Sequence, residues 1–486
     1  MLEEAYDDTT TGLDFFYSKV DETGCTVAGD GWSDAQHRPI QNTMLCANNL
    51  AVFHDSFDMT GLTKDAQTVA GKMMKAITEI GPEKVVCVIT DSASNCKAAG
   101  EIIHEAHPHI FWVPCAAHCL DLMLEDIGKL DSAKYVINKV KEVIIFVKNK
   151  HTPLAIFNKH SKLKVLLPGE TRFATEFLVL DRSIKVRRAL KKMLADRKFE
   201  KWTKAGGKSR KDEVAEIAKL INADGFWVRV QELVDLTGPI VVVLRLADSS
   251  APTTGKIYHE CLKLQQHVEE KAEAMTSFKL GEKKQLKESV KSRCEMLHNP
   301  LHAAGYLLDP EFWDVPLKDV GRKVMDGFRE VVRAMLDNTD LSAKAEEELV
   351  LFKRKEGPWG GMQLASAQAN ASKLPGSAWH QMYSMDTLLQ KIAVRVLAQP
   401  TSACACERNW SAYEFIHSTR RNKLDPERAK KLVYVFTNRR ILNRVRKPGF
   451  REEVVPWQRE WEEDSEDEEE TVMGGSSSEG ETSEDA

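Results

Sequence analysis

The spacing of apolar and polar positions predicts a strand-rich beginning to the chain. Residues 25–57 contain three extended segments separated by polar or glycine-containing breaks, which predicts an antiparallel meander. From Lys64 to Ile80 the apolar residues recur at helical spacing, so an amphipathic helix is expected there. The continuously apolar run Val85–Ile89 is typical of a strand that is buried on both faces.

Two further elements complete this part of the chain. A helix is expected from about Ser94 to His107, and a short strand from Ile110 to Val113. Three strands, a helix, a strand, a helix and a strand in this order predict an α/β arrangement with a mixed sheet.

Beyond about residue 116 the pattern becomes helical and highly charged, up to about residue 445. Ile240–Leu246 has the β-rich composition of a strand, but its helical surroundings favour a buried helix. Residues 204–212 and 355–376 hold small and loop-forming residues, and we expect them to be exposed loops or weak linkers.

Charge is unevenly distributed along the chain. The 486 residues include 68 Lys and Arg and 73 Asp and Glu, a net charge of -5. Residues 451–486 alone hold 15 acidic and 2 basic residues, which leaves residues 1–450 with a charge of +8. The protein is therefore a basic body followed by an acidic tail, and beyond Pro456 that tail is too polar to order itself around a core.

Length and composition exclude several classes of protein. The length predicts two or three domains, and 42% hydrophobic residues are enough for sizeable cores. No run approaches the ~18 apolar residues of a membrane span, and the acidic start is unlike a signal peptide, so neither insertion nor secretion is expected. The ten scattered cysteines favour reduced intracellular thiols.

Two aspartates lie where α/β sheets usually carry their chemistry. Asp30 lies within the first predicted strand, in GDGWS, and Asp91 follows the buried fourth strand, in TDSASN. If those strands are neighbours, the two carboxylates face each other, and oxygen ligands of this kind select a hard cation such as Mg²⁺ or Mn²⁺. The alternative on spacing alone is that both are ordinary strand-end or turn aspartates.

Cysteine and histidine are concentrated in VPCAAHC, residues 113–119. A structural zinc site would need a second Cys/His pair at matching spacing, and since the sequence offers no clear one, no structural zinc is expected. Cys115 and Cys119 are better interpreted as buried small residues, with His118 either a helix-start histidine or a neighbour of the site.

Two stretches are strongly basic. Residues 185–211 hold 12 Lys and Arg against Asp196 and Glu200, and residues 408–447 hold 12 against three acidic residues. Both are candidates for contact with phosphates, and both also fit a solvated helix face. Glu407 precedes the second stretch, where taken alone it is a helix-start glutamate favourable to the helix dipole.

Six segments, taken in order, carry a resemblance to a known family. They are GDGWSD at 29–34, VITDSASNCKAAG at 88–100, VPCAAHCLDLML at 113–124, TRFAT at 171–175, LHAAGYLLDPEFW at 301–313, and CERNWSAYEFIHSTRRNKLDPERAKKLVYVFTNRRI at 406–441. Together they resemble the hAT superfamily of DNA transposases, in particular the plant-type proteins with a DUF659 domain and an hAT C-terminal dimerisation region. The resemblance covers roughly residues 20–445, and the last segment is the most specific.

The resemblance implies a ribonuclease H-like mixed-sheet core that a large all-helical insertion interrupts and a C-terminal helical region completes. The catalytic D-D-E acids of the family correspond to Asp30, Asp91 and Glu407. These would hold two Mg²⁺ or Mn²⁺ ions for phosphodiester cleavage and strand transfer, with Asp30 bridging both ions.

Further residues are implied near that site. They are Trp32 of the D-x-W motif, His118 of the C-x-x-H motif, Arg172 of a T-R-W motif and Arg408, which follows Glu407. Phe173 stands where the family usually has Trp, a departure that keeps an aromatic ring.

The implied organisation has four parts. Residues 1–130 form the first part of the core, 131–395 the helical insertion, 396–447 the dimerisation region that completes the core, and 448–486 an acidic disordered tail.

The last helical region also carries candidate contacts for self-association. Trp410, Leu432, Val433, Val435 and Phe436 are expected to serve dimerisation, and a core-packing role is equally consistent with their apolar character.

Two functions fit these features of the sequence. The first is an hAT transposase-derived protein that binds DNA as a homodimer or higher oligomer, with catalysis left open. The alternative is a domesticated, non-catalytic nuclear dimerisation or DNA-binding regulator. Neither calls for a membrane or a small-molecule substrate. The BED-type zinc finger with which these transposases usually begin is absent before Gly24, through either a truncated gene model or loss of the DNA reader. RRNK at 420–423 and RVRK at 444–447 are candidate signals for the expected nuclear localisation.

Overall fold

One mixed sheet lies near the beginning of the chain, and helices account for most of the remainder. The computed structural model describes residues 1–34, 37–169, 173–249, 251–416 and 424–447. Both the α/β character and the helical remainder expected from the sequence are thereby confirmed.

The sheet has five strands within the described residues, in the order β3-β2-β1-β4-β5. They are β1 (Cys25–Ser33), β2 (Pro39–Ala47), β3 (Leu50–Asp58), β4 (Val85–Thr90) and β5 (Phe111–Pro114). The first three form the predicted antiparallel meander, whereas β4 and β5 run parallel to β1. Every residue of β4 is buried, as its continuous apolar run predicts.

Five helices accompany the strands along the chain. They are α1 (Leu2–Gly12), α2 (Asp14–Thr23), α3 (Ala66–Ile80), α4 (Ser94–Ala106) and α5 (Ala116–Lys129). The predicted helices α3 and α4 are confirmed to within two residues at each end. Asp65 stabilises the start of α3, because its carboxylate accepts a hydrogen bond from the Thr68 amide at 2.8 Å.

Successive residues of β1 face opposite sides of the sheet, so Gly29 packs against a helix on one side while Asp30 faces the other. Gly29 faces α3 so closely that a Cβ there would lie 2.7 Å from the sulfur of Met73. The next residue, Asp30, therefore faces the other side of the sheet.

The region after α5 is helical throughout its described residues. Its helices are α6 (Asp131–Lys148), α7 (His151–His160), α8 (Ala174–Leu194), α9 (Arg197–Ala205), α10 (Gly207–Asn222), α11 (Asp224–Asp248), α12 (Thr254–Ala274), α13 (Leu280–Leu297), α14 (Pro300–Leu308), α15 (Leu317–Val320), α16 (Arg322–Leu336), α17 (Thr339–Arg354), α18 (Leu364–Asn370), α19 (Gly376–Tyr383) and α20 (Leu388–Leu397). Ile240–Leu246 lies inside α11 and is mostly buried, which confirms the interpretation as a buried helix.

The prediction of a loop at residues 204–212 is wrong. These residues end α9 and begin α10, with Gly206 alone between the two helices. Gly207 has φ +70°, a conformation that lets the chain turn there without the strain a side chain would meet. The Lys and Arg residues on either side are good helix formers, so two glycines make a break between helices rather than a loop.

The prediction of a weak linker at residues 355–376 is wrong in part. The stretch contains α18 and two 3₁₀ turns, Gly357–Trp359 and Gly361–Gln363. Trp359 is 1% exposed, and its indole N–H donates to the hydroxyl of Ser384 at 2.8 Å. Burial of one large aromatic side chain fixes a segment whose composition otherwise favours a loop.

Two C-terminal helices return to the sheet, α21 (Cys404–Ile416) and α22 (Pro426–Val445). Helix α21 packs on β1 and β2, and α22 packs on β3 and along α1. The side-chain amide of Asn438 on α22 exchanges two hydrogen bonds with the backbone of Phe53, at 2.9 and 3.0 Å. The end of the chain is thus joined to a strand that lies nearly 400 positions earlier.

No helix among the described residues has the length and apolar content to cross a bilayer. The acidic tail 448–486 and RRNK at 420–423 lie outside the described residues, whereas RVRK spans the end of α22 and its basic side chains are exposed.

Candidate active site

Asp30 and Asp91 lie side by side because their strands are parallel neighbours. In the register of β1 and β4, Ala28 pairs with Ile89, and each aspartate follows two residues later. Residues two apart on a strand face the same side, so the two aspartates lie at the same level on the same edge of the sheet. The two strands are neighbours, which is the condition that the sequence prediction set for the two carboxylates to face each other.

Glu407, which lies near the other end of the chain, is held close to Asp30. It lies in the first turn of α21, which packs on β1 and β2. The peptide carbonyl of Cys406, the residue before it, accepts a hydrogen bond at 3.2 Å from the side-chain amide of Asn42 on β2. Asn42 is the register partner of Asp30, so this bond anchors the start of α21 beside that aspartate.

Trp410, one turn after Glu407, contacts Asp30 directly. Its indole N–H donates to Oδ2 of Asp30 at 2.6 Å, and its ring stacks on Trp32 with centroids 5.2 Å apart. One oxygen of Asp30 is therefore occupied by a donor from α21, and the two indole rings form an apolar wall beside the carboxylate.

The pKa of Asp30 is raised to about 7, chiefly by burial and also by repulsion from Asp91 and Glu407, and the hydrogen bond from Trp410 partly opposes this rise. The three carboxylates therefore interact electrostatically across one small region. Two of them come from the sheet and one from a helix that follows more than 300 residues later.

By donor chemistry this set fits a hard divalent cation, since such ions take carboxylate oxygens as ligands. In the present arrangement of side chains, no group of three or more His, Cys, Asp or Glu among the described residues is positioned to hold a metal ion. The residues that would hold such an ion are Asp30, Asp91 and Glu407, and the bond to Trp410 engages only Oδ2 of Asp30.

Two family matches cover the parts of the chain that meet at this site. Residues 1–143 match the domain of unknown function DUF659, and residues 372–438 match the hAT family C-terminal dimerisation region. These two matches support an hAT-family transposase-like protein. No curated protein matches the chain. The two matched regions contribute different acids to the site, Asp30 and Asp91 from the first and Glu407 from the second.

His118 is the third residue of α5 and is half-buried, without a hydrogen-bonding partner among the described residues. Cys115 and Cys119 are 1% and 0% exposed, which confirms their interpretation as buried small residues. Cys119 lies near Asp91, since that carboxylate contributes to raising the pKa of its buried thiol. The start of α5 thus lies at the edge of the site.

Of the two arginines predicted to lie near the site, the structure describes only Arg408. Arg408 turns toward the end of α11, where its guanidinium donates to the backbone carbonyl of Asp248 at 2.7 Å and lies 3.7 Å from that carboxylate. Arg172 lies outside the described residues.

Of the five residues expected to serve dimerisation, two are buried within this chain and three are half-buried. Val433 is fully buried and Trp410 is 8% exposed, so both pack inside this chain. Leu432, Val435 and Phe436 are half-buried on α22. The half-buried three leave surface available for a second copy.

Sequence reasoning missed two contributors to the site. It assigned Trp410 to dimerisation, although the residue lies three positions after Glu407 and therefore shares its helix face. It did not consider Asn42, which is fully buried and whose Oδ1 has no hydrogen-bond partner in the described part of the chain. The available signal was the polar run of Gln41, Asn42 and Thr43 within a predicted strand, since buried polar side chains need hydrogen-bond partners.

Proposed function

We propose that this protein is a DNA-acting hAT transposase derivative whose Asp30, Asp91 and Glu407 form a metal-dependent D-D-E centre. The observation that carries the proposal is that Asp30 on β1 and Asp91 directly after β4 lie at the same level of two parallel neighbouring strands, with the helix of Glu407 packed on β1 and β2. Three carboxylates concentrated in this way suit phosphodiester cleavage and strand transfer.

The sheet supports a ribonuclease H-like core. Its order β3-β2-β1-β4-β5, with only β2 antiparallel to its neighbours, brings the first and fourth strands together. The helices α6–α20 stand between β5 and α21 as an insertion, and α21 completes the site.

The chain itself would contribute orientation and charge. Asp30, Asp91 and Glu407 would hold the ions through their carboxylates. When bound, Mg²⁺ or Mn²⁺ would activate the attacking water or 3′-hydroxyl and stabilise the leaving oxygen. Trp410 would hold Asp30 in place, and the stacked rings of Trp32 and Trp410 would exclude water from one side.

Self-association and nuclear localisation belong to the same proposal. The matched dimerisation region supports a homodimer or higher oligomer. The exposed RVRK segment at the end of α22 supports import into the nucleus, where DNA is available.

A second candidate is a non-catalytic nuclear regulator that dimerises and binds DNA. It is favoured by the bond from Trp410 to Asp30 and by the lack of a ready metal group among the described residues. Both observations are expected of a site that no longer binds ions.

A nicking assay on supercoiled DNA with Mg²⁺ or Mn²⁺ separates the two candidates. We expect nicking by the wild type, and a loss of at least about 100-fold in Asp91→Ala and Glu407→Gln, because each removes a charge that neutralises an ion. The matched control is Asp58→Ala. It removes a carboxylate at the exposed end of β3, which in the wild type accepts a hydrogen bond from the Thr60 amide.

The outcomes are distinct. Nicking that disappears in the two site variants and persists in the control supports the catalytic function. DNA binding without nicking in any variant supports the regulator. Equal nicking by all four proteins would rule out the D-D-E assignment.

A further inference from the structure

The connection between α20 and α21 is buried along its whole length. Residues 398–403 are all buried, although they belong to no helix or strand. Connections normally run over the surface, because a buried one must find a partner for each backbone polar group. This segment leads directly into the helix that carries Glu407, so whatever holds the segment also holds the start of that helix.

On one side the segment is bonded to the sheet and its helices. The side chain of Gln399 accepts from the Thr26 hydroxyl on β1 at 2.9 Å and donates to the Thr23 carbonyl at 3.1 Å. The amide of Ala116, at the start of α5, donates to the Thr401 carbonyl at 2.8 Å. These bonds fix the segment relative to the strand that carries Asp30.

On the other side the segment is bonded to the junction between α11 and α12. The Thr254 hydroxyl donates to the Gln399 carbonyl at 2.7 Å, and the Ser402 hydroxyl donates to the Ala247 carbonyl at 2.5 Å. The hydroxyls of Thr253 and Thr401 share a bond of 2.6 Å. All of these side chains are buried, so the bonds form away from water.

The same junction also holds the first turn of α21. The guanidinium of Arg408, the residue after Glu407, donates to the carbonyl of Asp248, the last residue of α11. Contacts from the helical insertion thus lie on both sides of Glu407 in the sequence.

We propose that the α11–α12 junction clamps residues 398–403 and thereby sets the position of Glu407, with Thr253 and Thr254 of the junction and Ser402 of the clamped connection as the positioning residues. Neighbouring helical residues differ by about 100° around the axis, so a slip of α21 by one residue would turn Glu407 away from Asp30. The clamp prevents that slip. Its catalytic consequence rests on the function proposed above, whereas its structural part does not.

The clamp predicts that the helical insertion is required for the site even where it does not contact substrate. Residues 247–254 lie more than 130 positions after β5 and 150 before α21. Removing the insertion would therefore leave Glu407 without the partners that orient it.

The test compares hydroxyl deletions inside and outside the clamp in the full chain. The clamp variants are Thr254→Val and Ser402→Ala. The matched controls are Thr237→Val and Ser183→Ala, whose hydroxyls are equally buried but donate within their own helices, to Leu233 at 2.7 Å and Val179 at 2.6 Å.

Amide hydrogen exchange at residues 407–410 is the first measurement. We expect about fivefold faster exchange in each clamp variant, the effect of one lost hydrogen bond, and unchanged exchange there in the controls. Equal effects in both pairs, or no effect in either, would overturn the clamp.

Mn²⁺ binding, followed by electron paramagnetic resonance, is the second measurement. We expect the clamp variants to bind Mn²⁺ about tenfold more weakly than the controls, an effect of the size that supporting contacts around metal ligands commonly have. Faster exchange with unchanged Mn²⁺ affinity would overturn the positioning role. If the wild type binds no Mn²⁺, the proposed function fails, and the exchange measurement still decides the clamp.

Discussion

Asp30 and Asp55, two aspartates on the same sheet, have opposite electrostatic surroundings. Asp30 is repelled by two carboxylates, whereas Asp55 on β3 is paired with Lys75 at 3.0 Å and with Lys430 of α22. Burial opposes ionisation of Asp55, but the two lysines outweigh it and its pKa is lowered. One aspartate destabilises the metal-free fold and the other stabilises it.

Asparagine substitutions at these two positions should therefore change stability in opposite directions. In EDTA, Asp30→Asn should raise the free energy of unfolding by about 1 kcal/mol, since the repulsion disappears. Asp55→Asn should lower it by about 2 kcal/mol, because two lysines lose their partner. Chemical denaturation of both variants measures this, and a loss of stability in Asp30→Asn would contradict the repulsion.

His380 is held neutral in the core of the helical region. Its Nε2 donates to the Leu308 carbonyl and its Nδ1 accepts from the Ser384 hydroxyl, both at 2.7 Å. The pKa of His380 is lowered to about 4, chiefly by burial and slightly by the Lys353 charge, while the hydrogen bond to Leu308 and the Asp309 charge oppose this. His302, also fully buried, has its pKa lowered to about 4 by the same cause.

These histidines predict a loss of stability in mild acid. The unfolded chain takes up their protons below its ordinary pKa of 6.5, whereas the folded chain does so only near 4. Unfolding therefore becomes easier as pH falls from 6.5 to 4, by about 1.4 kcal/mol per pH unit for each histidine. Denaturation at a series of pH values should show a shallower slope in His380→Gln, and an unchanged slope would contradict this origin.

At the level of elements, the basic run of α8–α10 divides into paired and unpaired side chains. Lys185, Lys191 and Lys204 pair with Asp181, Asp224 and Glu200, at 3.0, 3.4 and 2.5 Å. Arg188, Lys192 and Lys201 are exposed and have no ion pair within the described ranges. The unpaired set is the better candidate for contact with DNA phosphates, because its charge is not already neutralised.

Two triple variants with the same change in charge separate specific contact from general attraction. Replacing Arg188, Lys192 and Lys201 by Gln should weaken DNA binding and reduce the slope of log affinity against log salt by up to about 3, or roughly 0.9 per phosphate contact. Replacing Lys185, Lys191 and Lys204 by Gln should have a smaller effect. Fluorescence anisotropy measures both, and equal effects would indicate a solvated surface rather than a binding surface.

The prediction of helices and strands succeeded where the spacing of apolar residues was regular. It failed where the local structure depends on a single tertiary contact. The meander, α3, β4 and α11 follow from periodicity and burial. The region of Trp359 does not, because only a core that already exists makes burial of one tryptophan favourable.

At the level of the whole molecule, an exposed aromatic pair marks a candidate surface for self-association. Phe415 of α21 is 66% exposed and stacks on Phe436 of α22, with ring centroids 5.7 Å apart. Both lie in the matched dimerisation region. Aromatic side chains of this kind are enriched at protein interfaces.

Phe415→Glu combined with Phe436→Glu should convert a dimer to a monomer without unfolding it, since Phe415 is exposed and Phe436 is only half-buried. Val433→Ala is the contrasting change and should cost about 1 to 3 kcal/mol of stability, because its side chain is fully buried. Light scattering and thermal melts distinguish the two effects. A double variant that remains dimeric would place the interface elsewhere.

The acidic tail should act on the basic body as a whole. Deleting residues 451–486 removes a charge of -13 from a body of +8 and should strengthen non-specific DNA binding at low salt. Binding measured at two salt concentrations tests this, and unchanged affinity would mean that the tail does not mask the basic surface.

The sequence by itself determined the elements that depend on local patterning, and it predicted the three candidate acids. Strand β4 follows from an apolar run, and Asp30, Asp91 and Glu407 were predicted from short sequence motifs. The same apolar run placed Asp91 at the end of its strand, independently of how the strands pair.

Only the tertiary structure decided how those acids meet. The register of β1 and β4 places the two aspartates at the same level of the sheet. The indole of Trp410 donates a hydrogen bond to one oxygen of Asp30, and the α11–α12 junction is hydrogen-bonded to the segment that leads into α21. These relations join residues that are up to 380 positions apart. Local propensity carries no information about such partners, because long-range pairing is decided by the burial and hydrogen bonding of the whole fold.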